Sequence, residues 1–104
     1  MQVFDLKNHH AFPYEERQKN VFFQAENFKV RLIELPASGA MPPCEMASFV
    51  LFYVIEGKAL VKVNQQSQML FANQLLITEP AELAMQSDEG VKILGVQIVP
   101  GMNK

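Results

Sequence analysis

With 104 residues, 49% of them hydrophobic and 19% charged, the chain suits one domain with a single core and is too short for two. Its nine Lys and Arg are scattered singly against eleven Asp and Glu for a net charge of −2, which leaves no basic face for nucleic acid and no cationic helix for a membrane surface. The single cysteine, Cys44, excludes an internal disulfide, the opening MQVFDLKNHHAF lacks a charged stretch followed by an apolar run, and the longest apolar run, Phe49 to Ile55, is far too short to span a bilayer, so a soluble cytoplasmic protein is expected.

Residues 5–20 are polar and contain Pro13, which predicts an irregular lead-in lying over the body of the domain. From residue 21 the pattern turns to strands. Val21-Phe22-Phe23 is short and apolar, and Glu26-Asn27 is a turn. In Phe28 to Leu35, Phe28, Val30 and Leu32 alternate with Lys29 and Arg31, the period of a half-buried strand with its apolar side on the core. Pro36 to Gly39 breaks it. Ser48 to Ile55 is continuously apolar and predicts a strand covered on both faces, ended by Glu56-Gly57. Lys58 to Val63 alternates again, Asn64-Gln65 turns, and Gln68 to Phe71 is a short strand. Ala72-Asn73 turns into Leu75 to Thr78, which Pro80 stops; Leu83 to Gln86 is short. Ser87 to Gly90 turns into the last strand, Val91 to Val99. No stretch of ten residues keeps a helical period, and short strands at such spacing argue for an all-β sandwich or barrel, whose closure also removes apolar edges.

Two segments carry a family resemblance. Gly39 to Gly57, GAMPPCEMASFVLFYVIEG, resembles the first cupin motif, with Pro42-Pro43, the strand Phe52 to Ile55 and Glu56-Gly57 in the family's positions. Ala72 to Met85, ANQLLITEPAELAM, resembles the second, although Asn73 stands at the family's Gly-Asp turn and Glu82 at its Gly. The resemblance spans roughly residues 21–99 and implies a double-stranded β-helix, or jelly-roll, barrel, with 1–104 as one domain, 1–20 as lead-in and 21–99 as barrel. In the family, two His and a Glu of the first motif and a His of the second hold a metal. Carried over by position, those slots hold Cys44, Met46, Val50 and Met85.

Cys44, Met46, Ser48, Val50, Phe52 and Val54 share one parity, so along a strand they point to one face, which the resemblance places inward. The expected cavity is therefore lined by Cys44, Met46, Val50, Phe52 and Met85. Without imidazole or carboxylate in these slots, the Fe(II) oxygenase type of cupin chemistry loses its ligands. Two readings stay open. In one, the interior is apolar, Met and Cys act as filler, and a small molecule binds without catalysis. In the other, Cys44, Met46 and Met85 form a thiolate-thioether site that selects Cu(I), with Met41 as a further sulfur at the mouth. A metal-independent enzyme would need an interior acid or base, and only Cys44 offers one, with no neighbouring His or Lys to activate it. His9-His10 reads as a solvated segment or as ligands folded back over the mouth; Glu79 and Glu82, flanking Pro80, read as exposed loop charge. A homodimer is expected through an apolar sheet edge around Phe22 and Phe23.

Overall fold

A computed structural model describes residues 1–100 of the chain; residues 101–104 of the expected domain lie outside the described residues. After an extended N-terminal segment, two short 3-10 turns run through Tyr14–Asn20 with a kink at Glu16. Eight strands follow: β1 Val21–Gln24, β2 Phe28–Leu35, β3 Gly39–Met46, β4 Phe49–Val63, β5 Gln66–Phe71, β6 Leu75–Thr78, β7 Ala81–Ser87 and β8 Val91–Ile98. All pairings are antiparallel. One sheet runs β1-β2-β8-β4-β6, and the other runs β3-β7-β4-β5.

β4 belongs to both sheets. Its first half pairs with β6 and β8, its second half with β5 and β7. The chain therefore continues as strand through Glu56-Gly57, where the sequence predicts a stop. A bulge between Val54 and Glu56 turns the strand instead. Gly57 makes this possible: its φ is +85°, and a Cβ there would lie 2.3 Å from the carbonyl oxygen of Gly90. The run Phe49 to Ile55 is covered on one face only. Val50, Phe52 and Val54 are buried, whereas Phe49 is exposed and Leu51, Tyr53 and Ile55 are half-buried.

The core lies between the sheets, built from Leu35, Val50, Phe52, Val54, Ala59, Val61, Leu70, Leu83, Met85, Val91 and Ile93 with smaller neighbours. Strand β2 presents its other side to it than the alternation predicts. Arg31 stands opposite Gly95, and Gly95 opposite Phe52, so these three share a face, and Phe52 is in the core. Lys29, Arg31, Ile33 and Leu35 therefore point inward, and Phe28, Val30 and Leu32 point outward. The apolar set has a second cover on that outer side. The N-terminal segment crosses it: Lys92, on the same outer face, is 1% exposed and donates from Nζ to the carbonyls of Leu6 at 2.8 Å and Lys7 at 3.0 Å. Ala11 N donates to Glu34 Oε1 at 3.0 Å. Phe22 packs edge-on against Phe4, and Phe23 stacks on Phe28.

Candidate functional site

A cavity of about 170 Å³ opens into the barrel where the 3-10 turns, β2 and β3 meet. Its wall is assembled from several elements. Val50 and Phe52 come from β4 and Leu83 from β7. Ile33 comes from β2, and Met41, Cys44 and Met46 come from β3. Gly95 of β8 forms part of the floor, where a Cβ would meet Ile33 Cδ1 at 3.4 Å, Arg31 Cγ at 3.5 Å and Phe52 Cε1 at 3.6 Å. The missing side chain at Gly95 is thus one source of the open volume.

Of the five residues expected to line the interior, Cys44, Met46, Val50 and Phe52 do line this cavity, and Met85 does not. Cys44 to Val54 is not one strand: the chain bends at Ala47-Ser48, and β3 and the first half of β4 lie in different sheets. The residues still meet, because both sheets face a common interior. Met85 stands farther along β7: Met41 faces it across the ladder, and Cys44 faces Leu83. Met85 then packs in the core, 3% exposed, and Leu83 takes the place on the cavity wall.

The sulfurs of Cys44 and Met46 are 3.8 Å apart, and Cys44 is exposed at the rim. Neither histidine lines the cavity. His9 packs against Phe22, and His10 Nδ1 faces Glu34 Oε2 at 3.5 Å. Glu79 and Glu82 are exposed, and Glu82 stands opposite Glu45 in the β3-β7 ladder. Among the described residues, no three His, Cys, Asp or Glu side chains gather in a way that would hold a metal ion.

The alternation pattern misses the polar half of the site. Arg31 and Lys29 of β2, Arg17 and Tyr14 of the 3-10 turns and Gln97 of β8 all line the cavity, whereas Asp and Glu are absent from its wall. Arg31 Nη2 donates to Gln97 Oε1 at 2.7 Å, and Gln97 Nε2 in turn approaches Met46 Sδ at 3.9 Å. The Nε of Arg31 is buried without a hydrogen-bond partner. Arg17 donates to the Tyr14 carbonyl at 3.2 Å and lies over the Tyr14 ring, 4.3 Å from its centroid. Ion pairs among the described residues join His10 to Glu34, Lys19 to Glu16 and Lys58 to Glu89, so none of the three cavity cations has a carboxylate partner. Burial, and after it the charge of Arg17, push the Arg31 guanidinium below its usual range, though an arginine keeps its proton in a protein. The signal that could have found Lys29, Arg31 and Gln97 is their placement as polar members of the alternating strands β2 and β8.

No family model and no curated protein matches the chain. Solved structures do. The Thermus thermophilus protein TT1209 superimposes with a TM-score of 0.80 at 20% identity, over 95% of this chain and 98% of that one. A cupin superfamily protein from Desulfitobacterium hafniense gives 0.72 at 15% identity, over 77% and 74%. An RmlC-like cupin from Methanocaldococcus jannaschii with a double-stranded β-helix fold gives 0.68 at 14%, over 77% of each chain. One enzyme also matches, a salicylate 1,2-dioxygenase from Pseudoaminobacter salicylatoxidans, at 0.66 and 14% identity, but this chain covers only 20% of it. At these identities the likeness concerns the fold.

Proposed function

This chain has the cupin fold, a double-stranded β-helix, and from that premise we propose that it binds a small organic molecule in its interior without transforming it, as a sensing or accessory module. The carrying observation is the cavity itself: about 170 Å³, open to solvent on one side, with a wall of Ile33, Met46, Val50, Phe52 and Leu83 and a few polar groups at one end. A mostly apolar concavity with a small number of placed polar groups is the usual form of a ligand site. The lining holds no carboxylate or imidazole; its titratable side chains are Tyr14, Arg17, Lys29, Arg31 and the thiol of Cys44. Cys44 sits at the exposed rim, and neither histidine shares the cavity with it.

The test is a ligand-observed NMR screen of neutral and charged fragments of about ten heavy atoms against the wild-type chain and Gly95→Val. The larger side chain grows from the floor into the open volume. Fragments that bind the wild type and are lost in the variant support the reading. A hit set unaffected by Gly95→Val, with the variant folded, would remove it.

A further inference from the structure

The cavity has a charged end that its apolar wall does not need. Three cations, Arg17, Lys29 and Arg31, line it; no carboxylate shares its wall, and among the described residues none forms an ion pair with them. A guanidinium brought out of water without a counter-ion is costly, and the cost is normally met by a paired anion. Arg31 has the Gln97 side chain as one neutral acceptor, while its Nε is buried and bonded to nothing. The second guanidinium, that of Arg17, is near enough to repel it, and Lys29 adds charge of the same sign. Like charges gathered round one hollow are stabilised by a negative group between them. Arg17 and Arg31 both present planar forks, the geometry that grips a carboxylate with two parallel hydrogen bonds.

We propose that the occupant is a small organic acid, its carboxylate held at the guanidinium end by Arg31, with Arg17 and Lys29 adding charge, and its apolar body laid against Phe52, Met46 and Ile33. The proposal rests on the reading of the cavity as a ligand site and adds the ligand's chemical class. Gln97 then acts as a positioning residue: by accepting from Nη2 it fixes the plane of the Arg31 fork. Exchange of one oxygen for an amide nitrogen leaves a probe's shape unchanged and removes its charge, so the two contributions separate cleanly.

The experiment compares 3-phenylpropanoate with 3-phenylpropanamide, and hexanoate with hexanamide, by calorimetry and by 15N NMR of the arginine side chains. It uses the wild type, Arg31→Met and Gly95→Val. At least one carboxylate is expected to bind the wild type tenfold or more tightly than its amide and to shift the Arg31 side-chain resonances. Arg31→Met is expected to abolish that preference and leave amide binding as it was, and Gly95→Val to weaken both probes. Amides that bind as tightly as the acids, with loss of both in Gly95→Val, would overturn the organic-acid proposal and leave the cavity reading standing. No binding by any of the four probes would overturn the proposal outright. Loss of folding in Arg31→Met is addressed by Arg31→Lys, which keeps the charge and loses the fork and is expected to retain part of the preference. Equal preference in Arg31→Met and wild type would also overturn it.

Discussion

Arg31 and Gln97 meet across the β2-β8 ladder with Nη2 and Oε1 2.7 Å apart, and this single neutral bond is set against a half-buried cationic charge. The arrangement favours occupancy over stability. Arg31→Met removes the charge and the unpartnered Nε and keeps an apolar chain of similar length. The unliganded variant is therefore expected to be more stable, by about 1 kcal/mol. For a domain of this size that raises the melting temperature by roughly 4–8 °C, measurable by calorimetry. A fall in stability would mean that the guanidinium already has adequate partners inside the chain.

Lys92 is predicted to hold the N-terminal segment in place. Its Nζ is the donor to two carbonyls of that segment, at 2.8 and 3.0 Å, and the side chain is buried. Lys92→Met leaves both carbonyls without this donor, at a cost of about 1–3 kcal/mol. Hydrogen exchange in residues 1–12 is expected to rise well above that in β4, because the segment can detach without opening the barrel. Uniform exchange throughout the chain would point to global destabilisation in place of local release.

Gly57→Ala tests the bend in β4. The new Cβ would combine a φ of +85° with contacts of 2.3 Å to Gly90 O and 2.9 Å to Val91 Cα, both backbone atoms that a rotamer change cannot move. A loss of about 2 kcal/mol or more is expected in urea denaturation, beyond the positive-φ penalty alone. Gly95→Ala makes a useful contrast. Its Cβ meets only side-chain atoms at 3.4–3.6 Å, so stability should be nearly unchanged.

The thiolate-thioether reading for Cu(I) makes a separate expectation. Cys44 and Met46 keep their sulfurs together, but Met85 lies in the core, away from the cavity lining, and three cations face the same hollow. A cation is repelled there. Anaerobic titration against a colorimetric Cu(I) chelator is expected to leave the metal with the chelator. One equivalent withdrawn by the wild type and lost in Cys44→Ser would restore the metal reading.

Much of the strand order was legible because turn residues and period-2 alternation mark it. Phe28 to Leu35 and Leu75 to Thr78 coincide with β2 and β6, and Val91 to Val99 overruns β8 by one residue. Cys44, Met46, Val50 and Phe52 could be placed on the cavity because motif position carries the inward direction of their strands. The direction of β2 could not be read this way. Alternation tells which residues share a face, and it is silent on which face meets the core when a distant segment covers the other. The covering contact runs from Lys92 to Leu6 and Lys7, far apart in the chain. The place of Met85 is hidden for a similar reason: nothing local in the sequence tells that the β3-β7 register sets Leu83, two residues before Met85, opposite Cys44. Tyr14 and Arg17 reach the site only because the 3-10 turns pack beside β2, a tertiary contact with no local periodicity to reveal it.

The dual membership of β4 also constrains how the chain can reach its native state. Each half of that strand completes a different sheet, and β2 reaches it only through β8. Among the described strands β8 alone links β2 to β4, so its loss should detach β1 and β2 and open the core. Assembly is expected to be slow for the chain length, on the order of milliseconds to seconds, because five of the seven strand pairings must first close a long loop, only β1-β2 and β4-β5 being local hairpins.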